Sequence, residues 1–440
     1  MNNLIGKLLV FVFTLFMLAL VWLSSSIVWS VVYIYIYTLV VVGVNCKNGA
    51  ADPRVFPLAF MAIYFTFFPL RALFFGPGNL PFDEGVLLES LRLQSLAMAT
   101  FVVVSNVIVF ESRQRQPFSF FDAGFANITS ERILFVFALP FVVVPMLLII
   151  KSGAGSKREI LDNLAAVKIL SDLALLVVTV LVFLRAARIG KAFCFDLFII
   201  GYLGLCLFYV LLTGERDILF KVLFGFLIIY FDQRRSFGFF KMLAIFSALV
   251  LVVPISQYFK GVLLSGEVAF DRDGWDLILY SEFMSASRNF YSLLFFGVDQ
   301  DISFLFSDIS RAFVPTMITG ETDVQSSVAW FERVFRAENG FSGTSGWGFT
   351  IVGFGYIVGG VFGIVAIMVF YASLLGSLYN LRWRSIYWYA FYILALAAFV
   401  YVIRADLANL LSLLFKISGL AMMLVYLAHL MMRRKKHPSL

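Results

Sequence analysis

The chain has 440 residues, 61% hydrophobic and 14% charged, with a mean hydropathy of +0.94. A water-soluble domain of that composition would expose large apolar patches, so the sequence implies an integral membrane protein. The net charge of +7 is scattered over short loops beside apolar runs and forms no stripe for a phosphate backbone, which excludes nucleic acid as a partner.

A helix needs about 20 apolar residues to cross a bilayer. Runs of that kind predict spans at 4–23, 27–44, 55–75, 86–110, 132–150 and 170–187, then 193–212, 217–231, 241–259, 349–378, 386–402 and 407–430. The expected fold is an all-α polytopic bundle of about twelve spans in one transmembrane domain, 1–440, with one large loop at 260–347. The first 23 residues have the hydropathy of a signal peptide. However, the apolar run resumes after Ser24-Ser25-Ser26 with no small-residue cleavage site, so a retained helical hairpin is expected.

With both termini cytoplasmic, the inward loops hold Lys47, Arg54, Arg113, Arg185, Arg188, Arg234, Arg382, Arg384 and the Arg433 to Lys436 tail, as the positive-inside rule requires. Cys46, Cys194 and Cys206 show no CxxC spacing, so neither a disulfide framework nor zinc is expected. The sequon at Asn127 falls in an inward loop, where it has no use. Between Lys151 and Asp162 a glycine turn leads into a charged stretch expected to lie along the membrane surface.

Ionisable residues of the second half cluster at the outward ends of spans. There Thr213 is expected as an N-cap, with Arg216 and Asp217 in the first turn of the next helix. In the long loop Leu279, Phe283, Ala286, Phe290 and Leu294 recur at helical spacing, opposite Ser281, Ser285, Arg288 and Ser292. This predicts an amphipathic helix resting on the bundle or in the bilayer surface, its polar stripe centred on Arg288 with Glu282 beside it. Asp308 and Arg311 stand three apart before Pro315, while Glu321, Asp323, Glu332, Arg333, Arg336 and Glu338 are expected as surface charges.

A glycine-rich passage follows from Gly340. Its turn from Ser342 to Gly348, with Ser342, Thr344 and Ser345, is a candidate substrate-lining loop, and Gly355 and Gly359 are expected to allow close helix packing. Arg404-Ala405-Asp406 opens the last span. Arginines at helix starts suit phosphate oxygens, and Asp406 and Asp217 can equally cap their helices and pair with Arg404 and Arg216. His429 and His437 lie at the inward end, and there is no Walker sequence, DxD pair or metal-ligand cluster, so no cofactor or metal is expected. External chemistry then falls to carboxylates and arginines.

In its second half the chain resembles the Wzy-type polysaccharide polymerases, including the enterobacterial common antigen polymerase group. The resemblance is carried by Thr213-Gly214-Glu215-Arg216, Arg288 in the large loop, the Gly340–Gly363 passage and Arg404-Ala405-Asp406. The chain departs from the family at Gly346 to Thr350, where relatives often carry an acidic residue.

The resemblance implies a GT-C-like membrane glycosyltransferase of the bacterial inner membrane, active at the periplasmic face. It would transfer a growing glycan from undecaprenyl diphosphate to a new lipid-linked repeat, beside a chain-length regulator. On that basis Arg216, Arg288, Arg404 and Arg311 bind diphosphates, and Asp217, Glu282, Asp308 and Asp406 are candidate bases. The competing readings are a lipid-linked oligosaccharide flippase and an O-antigen ligase, the latter expected to use a periplasmic histidine.

Overall fold

Backbone polar groups inside hydrocarbon must be satisfied within their own segment, so long runs of Leu, Val, Ile and Phe become helices. The protein is described by a computed structural model, which covers residues 2–76, 78, 80–109, 128–152, 157–189, 196–213, 216–234, 238–244, 246–248, 283–314, 326–340 and 349–434. Among the described residues every element is a helix.

The first half holds α1 (Asn2–Leu23), α2 (Ile27–Asn45), α3 (Phe56–Phe75), α4 (Glu84–Ile108), α5 (Ile128–Ser152), α6 (Lys157–Ile189), α7 (Leu197–Thr213) and α8 (Arg216–Arg234). The second holds α9 (Phe283–Phe296) and α10 (Ser303–Phe313), then α11, which runs from Ser327–Trp330 through a π turn at Phe331–Phe335 to Arg336–Glu338. It closes with α12 (Ile351–Leu381), α13 (Ile386–Val402) and α14, from Leu407–Leu411 through a π segment at Ser412–Gly419 to Leu420–Arg434.

Eight helices among the described residues are long and apolar enough to cross a membrane, belonging to α1 to α6, α12 and α14; α7 and α13 are shorter and also apolar. On α1 the side chains of Leu8, Leu9, Val12, Leu15 and Phe16 are all at least half exposed, a contiguous apolar face that only lipid can cover. The protein is therefore membrane-embedded.

The lower end of the bundle is tied by Tyr392 of α13 donating to Ala51 O, by Asn380 donating to Ile108 O at 2.8 Å, and by Lys7 Nζ at 3.2 Å from Val109 O. At the upper end, Arg92 donates to Ser24 O at 3.1 Å, and the Tyr291 hydroxyl accepts from Asp83 N at 2.9 Å while donating to Pro81 O at 2.8 Å. Asp83 itself caps α4, accepting from Val86 N at 2.9 Å. The core sits around α13, whose sequence is apolar all round and whose residues from Tyr392 to Val402 are buried except Tyr401.

Two expectations change here. The helix around Arg288 rests on the bundle, one of its two expected places, but its polar stripe is not solvated: from Phe283 to Leu293 every residue of α9 is buried, its serines included. Phe283 stacks near Tyr64 at 5.2 Å, Ser287 Oγ accepts from Phe68 N at 3.2 Å and Tyr291 reaches the 81–83 turn, so α9 climbs along the upper half of α3. Its serines are short enough to pack against α3, which lets the stripe read as polar turn inward.

The glycines of α12 also act differently. As a straight rod its 31 residues would span about 46 Å, well beyond a hydrocarbon core of about 30 Å. The helix breaks at Gly359 and Gly360, where φ of +59° at Gly360 demands glycine. A Cβ on Gly363 would sit 2.0 Å from Gly355 O, so these two glycines let the halves of one broken helix fold together, whereas no atom approaches the Gly359 Cβ position within 4 Å. Asp301 N donates at 2.8 Å to Ile357 O, a carbonyl the break releases.

Candidate functional site

Three arginines meet at the upper end. Arg71 stands in the last turns of α3, Arg288 in the middle of α9 and Arg336 near the end of α11, at 5%, 5% and 8% exposure. Burial pushes the Arg288 guanidinium down to about 9, and the charges of Arg336 and Arg71 push the same way. Arg336 is lowered too, chiefly by burial, with Glu332 opposing. Arg71 Nη1 donates to Gly76 O at 2.7 Å, which fixes its side chain across the end of its own helix. Arg336 was expected among the surface charges; it is buried because the π turn of α11 carries Phe331 and Phe335 into the core and takes the next residue with them. Arg333 and Glu338 do face outward.

Two carboxylates meet at the start of α11, whose far end carries Arg336. Asp308 of α10 and Asp406, which caps α14, are 0% and 1% exposed, and Ser327 at the start of α11 joins them. Ser327 Oγ lies 2.6 Å from Asp308 Oδ2 and 3.4 Å from Asp406 Oδ2, while Ser327 N donates to Asp308 Oδ1 at 3.2 Å. A serine hydroxyl has one hydrogen, so it can donate to one carboxylate only. The second contact is satisfied when the other carboxyl carries a proton and donates to the serine oxygen.

Burial, then the charge of Asp406, pushes Asp308 up to about 7, against the Ser327 hydrogen bonds and the Arg311 charge. Asp406 is raised as well, by burial, although the Asn409 amide groups at 2.7 Å and Arg311 oppose it. Two carboxylates this close cannot both ionise cheaply, so near neutral pH the pair holds about one proton. Arg311 is itself exposed on α10, and Lys416 of α14 donates at 3.4 Å to Val314 O at the end of that helix.

Arg404 sits elsewhere, half-buried, with its guanidinium 4.8 Å from the centre of the Tyr401 ring. Lys221 of α8 places its Nζ 5.2 Å from the same centre. The Arg404 backbone is held by Phe349 N, which donates to its carbonyl at 2.8 Å. Phe349 packs on Phe331 of α11 at 5.0 Å between ring centres, so the Arg404 turn and α11 are neighbours.

α8 does begin at Arg216, but the side chains of Arg216 and Asp217 lie outside the described residues. So do Glu282, Ser342, Thr344, Ser345, Glu321, Asp323 and the Asn127 sequon. Thr213 ends α7, its hydroxyl donating back to Tyr209 O at 2.8 Å, and its expected capping of α8 falls on residues outside the described ones. The residues brought together are thus Arg288 with Arg71 and Arg336, and Asp308 with Asp406 and Ser327.

Arg71, Ser327 and Lys221 were missed. For two of them a signal existed: Arg71 is the one charged residue in the apolar run 56–75, and Lys221 interrupts the run 217–231, and ionisable residues inside spans are functional candidates by default. Ser327 carried none, being one serine of a polar stretch. No group of three potential metal ligands occurs among the described residues. Comparison with known protein families, curated proteins and solved structures returns no match to this chain.

Proposed function

We propose that the chain is a membrane glycosyltransferase that polymerises lipid-diphosphate-linked oligosaccharide repeats, as its sequence resemblance to the Wzy-type polymerases implies. The observation that carries this reading is the convergence of Arg71, Arg288 and Arg336, buried at the upper end of a membrane bundle, with a buried carboxylate pair bridged by Ser327 at the other end of α11. Ser327 and Arg336 are nine positions apart on α11, about 13 Å along a helix, a span that a lipid diphosphate and its first sugar can fill.

In the reaction an acceptor hydroxyl oxygen bonds to the anomeric carbon of the donor glycan. The bond from that carbon to the diphosphate oxygen breaks, and its electron pair leaves with the diphosphate. The hydroxyl proton passes to the ionised member of the Asp308–Asp406 pair. Negative charge that develops on the leaving group falls among the guanidiniums, whose donors are fixed in advance, and each such donor contributes about 10²–10³-fold in rate. Undecaprenyl diphosphate is the expected lipid carrier.

Eight long apolar helices, with α7, α8, α13 and the run 241–259, make the proposed twelve spans of a GT-C-like bundle. In this reading, supported by the positive-inside distribution, the lower end and both termini are cytoplasmic and the site faces the periplasm of a bacterial inner membrane, where a chain-length regulator would be a partner. Purified protein in detergent, given lipid-linked repeats, should lengthen the glycan. Unchanged chain length with repeats moved across a vesicle membrane would instead identify a flippase.

A further inference from the structure

We infer that α10 is a boundary helix, seated lengthwise in the leaflet at the upper end of the bundle, and that acyl chains are the partner of its Ile302–Phe306–Phe313 face. The inference needs the protein to be membrane-embedded and does not depend on the polymerase reading.

Three faces run along this eleven-residue helix. Asp308 and Ala312, one turn apart, are buried against the protein at 0% and 1% exposure. Ile302 at the N-cap, Phe306 and Phe313 follow at steps of four and seven, one stripe of a helix, and are 60%, 65% and 53% exposed. On the remaining side Ser303, Ser310 and Arg311 are exposed. A helix surrounded by hydrocarbon would not turn an arginine and two serines outward, and one surrounded by water would not hold two phenylalanines and an isoleucine outward in a row. The two exposed faces are both satisfied where hydrocarbon meets water.

The apolar face also continues a lipid-covered one. The Phe313 ring centre is 5.7 Å from that of Phe415, itself 46% exposed on α14, a helix long and apolar enough to cross the membrane. Phe415 is nine residues after Asp406, about 13 Å along α14, so the C-terminal end of α10 slopes below the start of that span. There Lys416 Nζ donates to Val314 O at 3.4 Å, which sets a cation at the end of α10 where carbonyls lack helical partners. The other end is wet: exposed Asp301 accepts from Ser303 N at 2.8 Å. Asp308 lies between the two ends on the protein side, so the lipid seat fixes the height of the Asp308–Ser327–Asp406 group at the hydrocarbon boundary.

The test uses the full wild-type chain in phosphatidylcholine vesicles whose acyl chains carry a diazirine, with labelled residues mapped by mass spectrometry. Label should fall on Ile302, Phe306, Phe313 and Phe415 and spare Ser303, Ser310 and Arg311. Spin labels attached through Phe306→Cys and Ser310→Cys, with Cys46, Cys194 and Cys206 changed to alanine, then read each side of the helix. Oxygen should relax the label at 306 more than a water-soluble nickel complex does, and the order should reverse at 310. Label on α1 and Phe415 but none on α10, with nickel reaching position 306, would put the helix in water. Exclusion of both oxygen and nickel from position 306 would mean that protein covers the face, whether another segment of this chain or a second copy. Either result overturns the inference.

Discussion

The two ends of the bundle treat buried charge in opposite ways. At the lower end Arg54 and Asp52, 1% and 0% exposed, meet at 2.7 Å; Arg54 Nη1 donates to Asn106 Oδ1 at 2.6 Å and Asn48 donates to Asp52 at 3.1 Å. Burial works against the Asp52 charge, yet the Arg54 guanidinium holds its pKa below the usual carboxylate range. Arg382 lies on the Tyr379 ring, 3.2 Å from its centre. Arg54 and Asp52 thus complete each other. At the upper end like is set beside like, three guanidiniums in one group and two carboxylates in another. A closed ion pair serves as a clasp, whereas like charges held near one another add to burial in disfavouring each other's ionised form, as the lowered Arg288 and the raised Asp308 show, even with Glu332 opposing the shift of Arg336 and Arg311 that of Asp308.

The largest expected effect follows directly. Asp52→Ala leaves Arg54 buried without its carboxylate, which should cost about 3–5 kcal/mol of stability. Arg288→Ala removes one of three cations whose charges disfavour one another, so its melting point should fall less than that of Asp52→Ala while glycan elongation drops at least about 10²-fold. Thermal unfolding in detergent and glycan ladders measure the two. If Arg288→Ala melts as early as Asp52→Ala, the upper cluster is a clasp as well and the contrast is gone.

Much of the bundle could be read from the sequence because hydropathy alone decides where a helix can sit in lipid, and α1 to α4, α12 and α13 begin and end near the expected limits. What escaped was tertiary. A stripe of serines around Arg288 has the same spacing whether it faces water or a neighbouring helix, and only the packing of α9 on α3 settles which. Asp308 and Asp406 were both singled out, but nothing in a chain that separates them by 98 positions reveals that one serine bridges them. Glycines of α12 signal close approach without saying whether the partner is another helix or the other half of the same one. Arg336 looked like its exposed neighbours Arg333 and Glu338 because a π turn shifts the face of a helix by a fraction of a turn that sequence does not show.

Acidity should separate the ends. Asp308 has a folded pKa near 7, above its ordinary value of about 4, so the folded protein keeps a proton that the unfolded chain has released. Its contribution to stability is therefore full below about pH 4 and declines as pH rises to about 7. Asp52 is lowered, so its contribution is present above its ordinary pKa and is lost on acidification below it. Between pH 5 and pH 8 only the first should act. Wild type should melt a few degrees lower at pH 8 than at pH 5, and Asp308→Asn should abolish the difference. A difference that survives in Asp308→Asn but not in Asp308→Asn/Asp406→Asn places its origin in Asp406, and one that survives both lies outside the carboxylate pair.

The smallest effect is the sharpest for the comparison. Ser327→Ala removes the hydroxyl between Asp308 and Asp406, a loss of about 1 kcal/mol in stability. The Ser327 hydrogen bonds favour the ionised form of Asp308, so without the hydroxyl its pKa rises further. If the pair supplies the base, the acid limb of the elongation rate must move to higher pH in this variant, with the rate at high pH nearly unchanged. Asn106→Ala removes a neutral partner of comparable reach from the lower end, where Arg54 donates to it. That change should lower the melting point and leave the pH profile in place. A shift of the acid limb in both variants would mean that general loosening of the bundle moves the profile, and Asp308 and Asp406 would lose their claim to the proton.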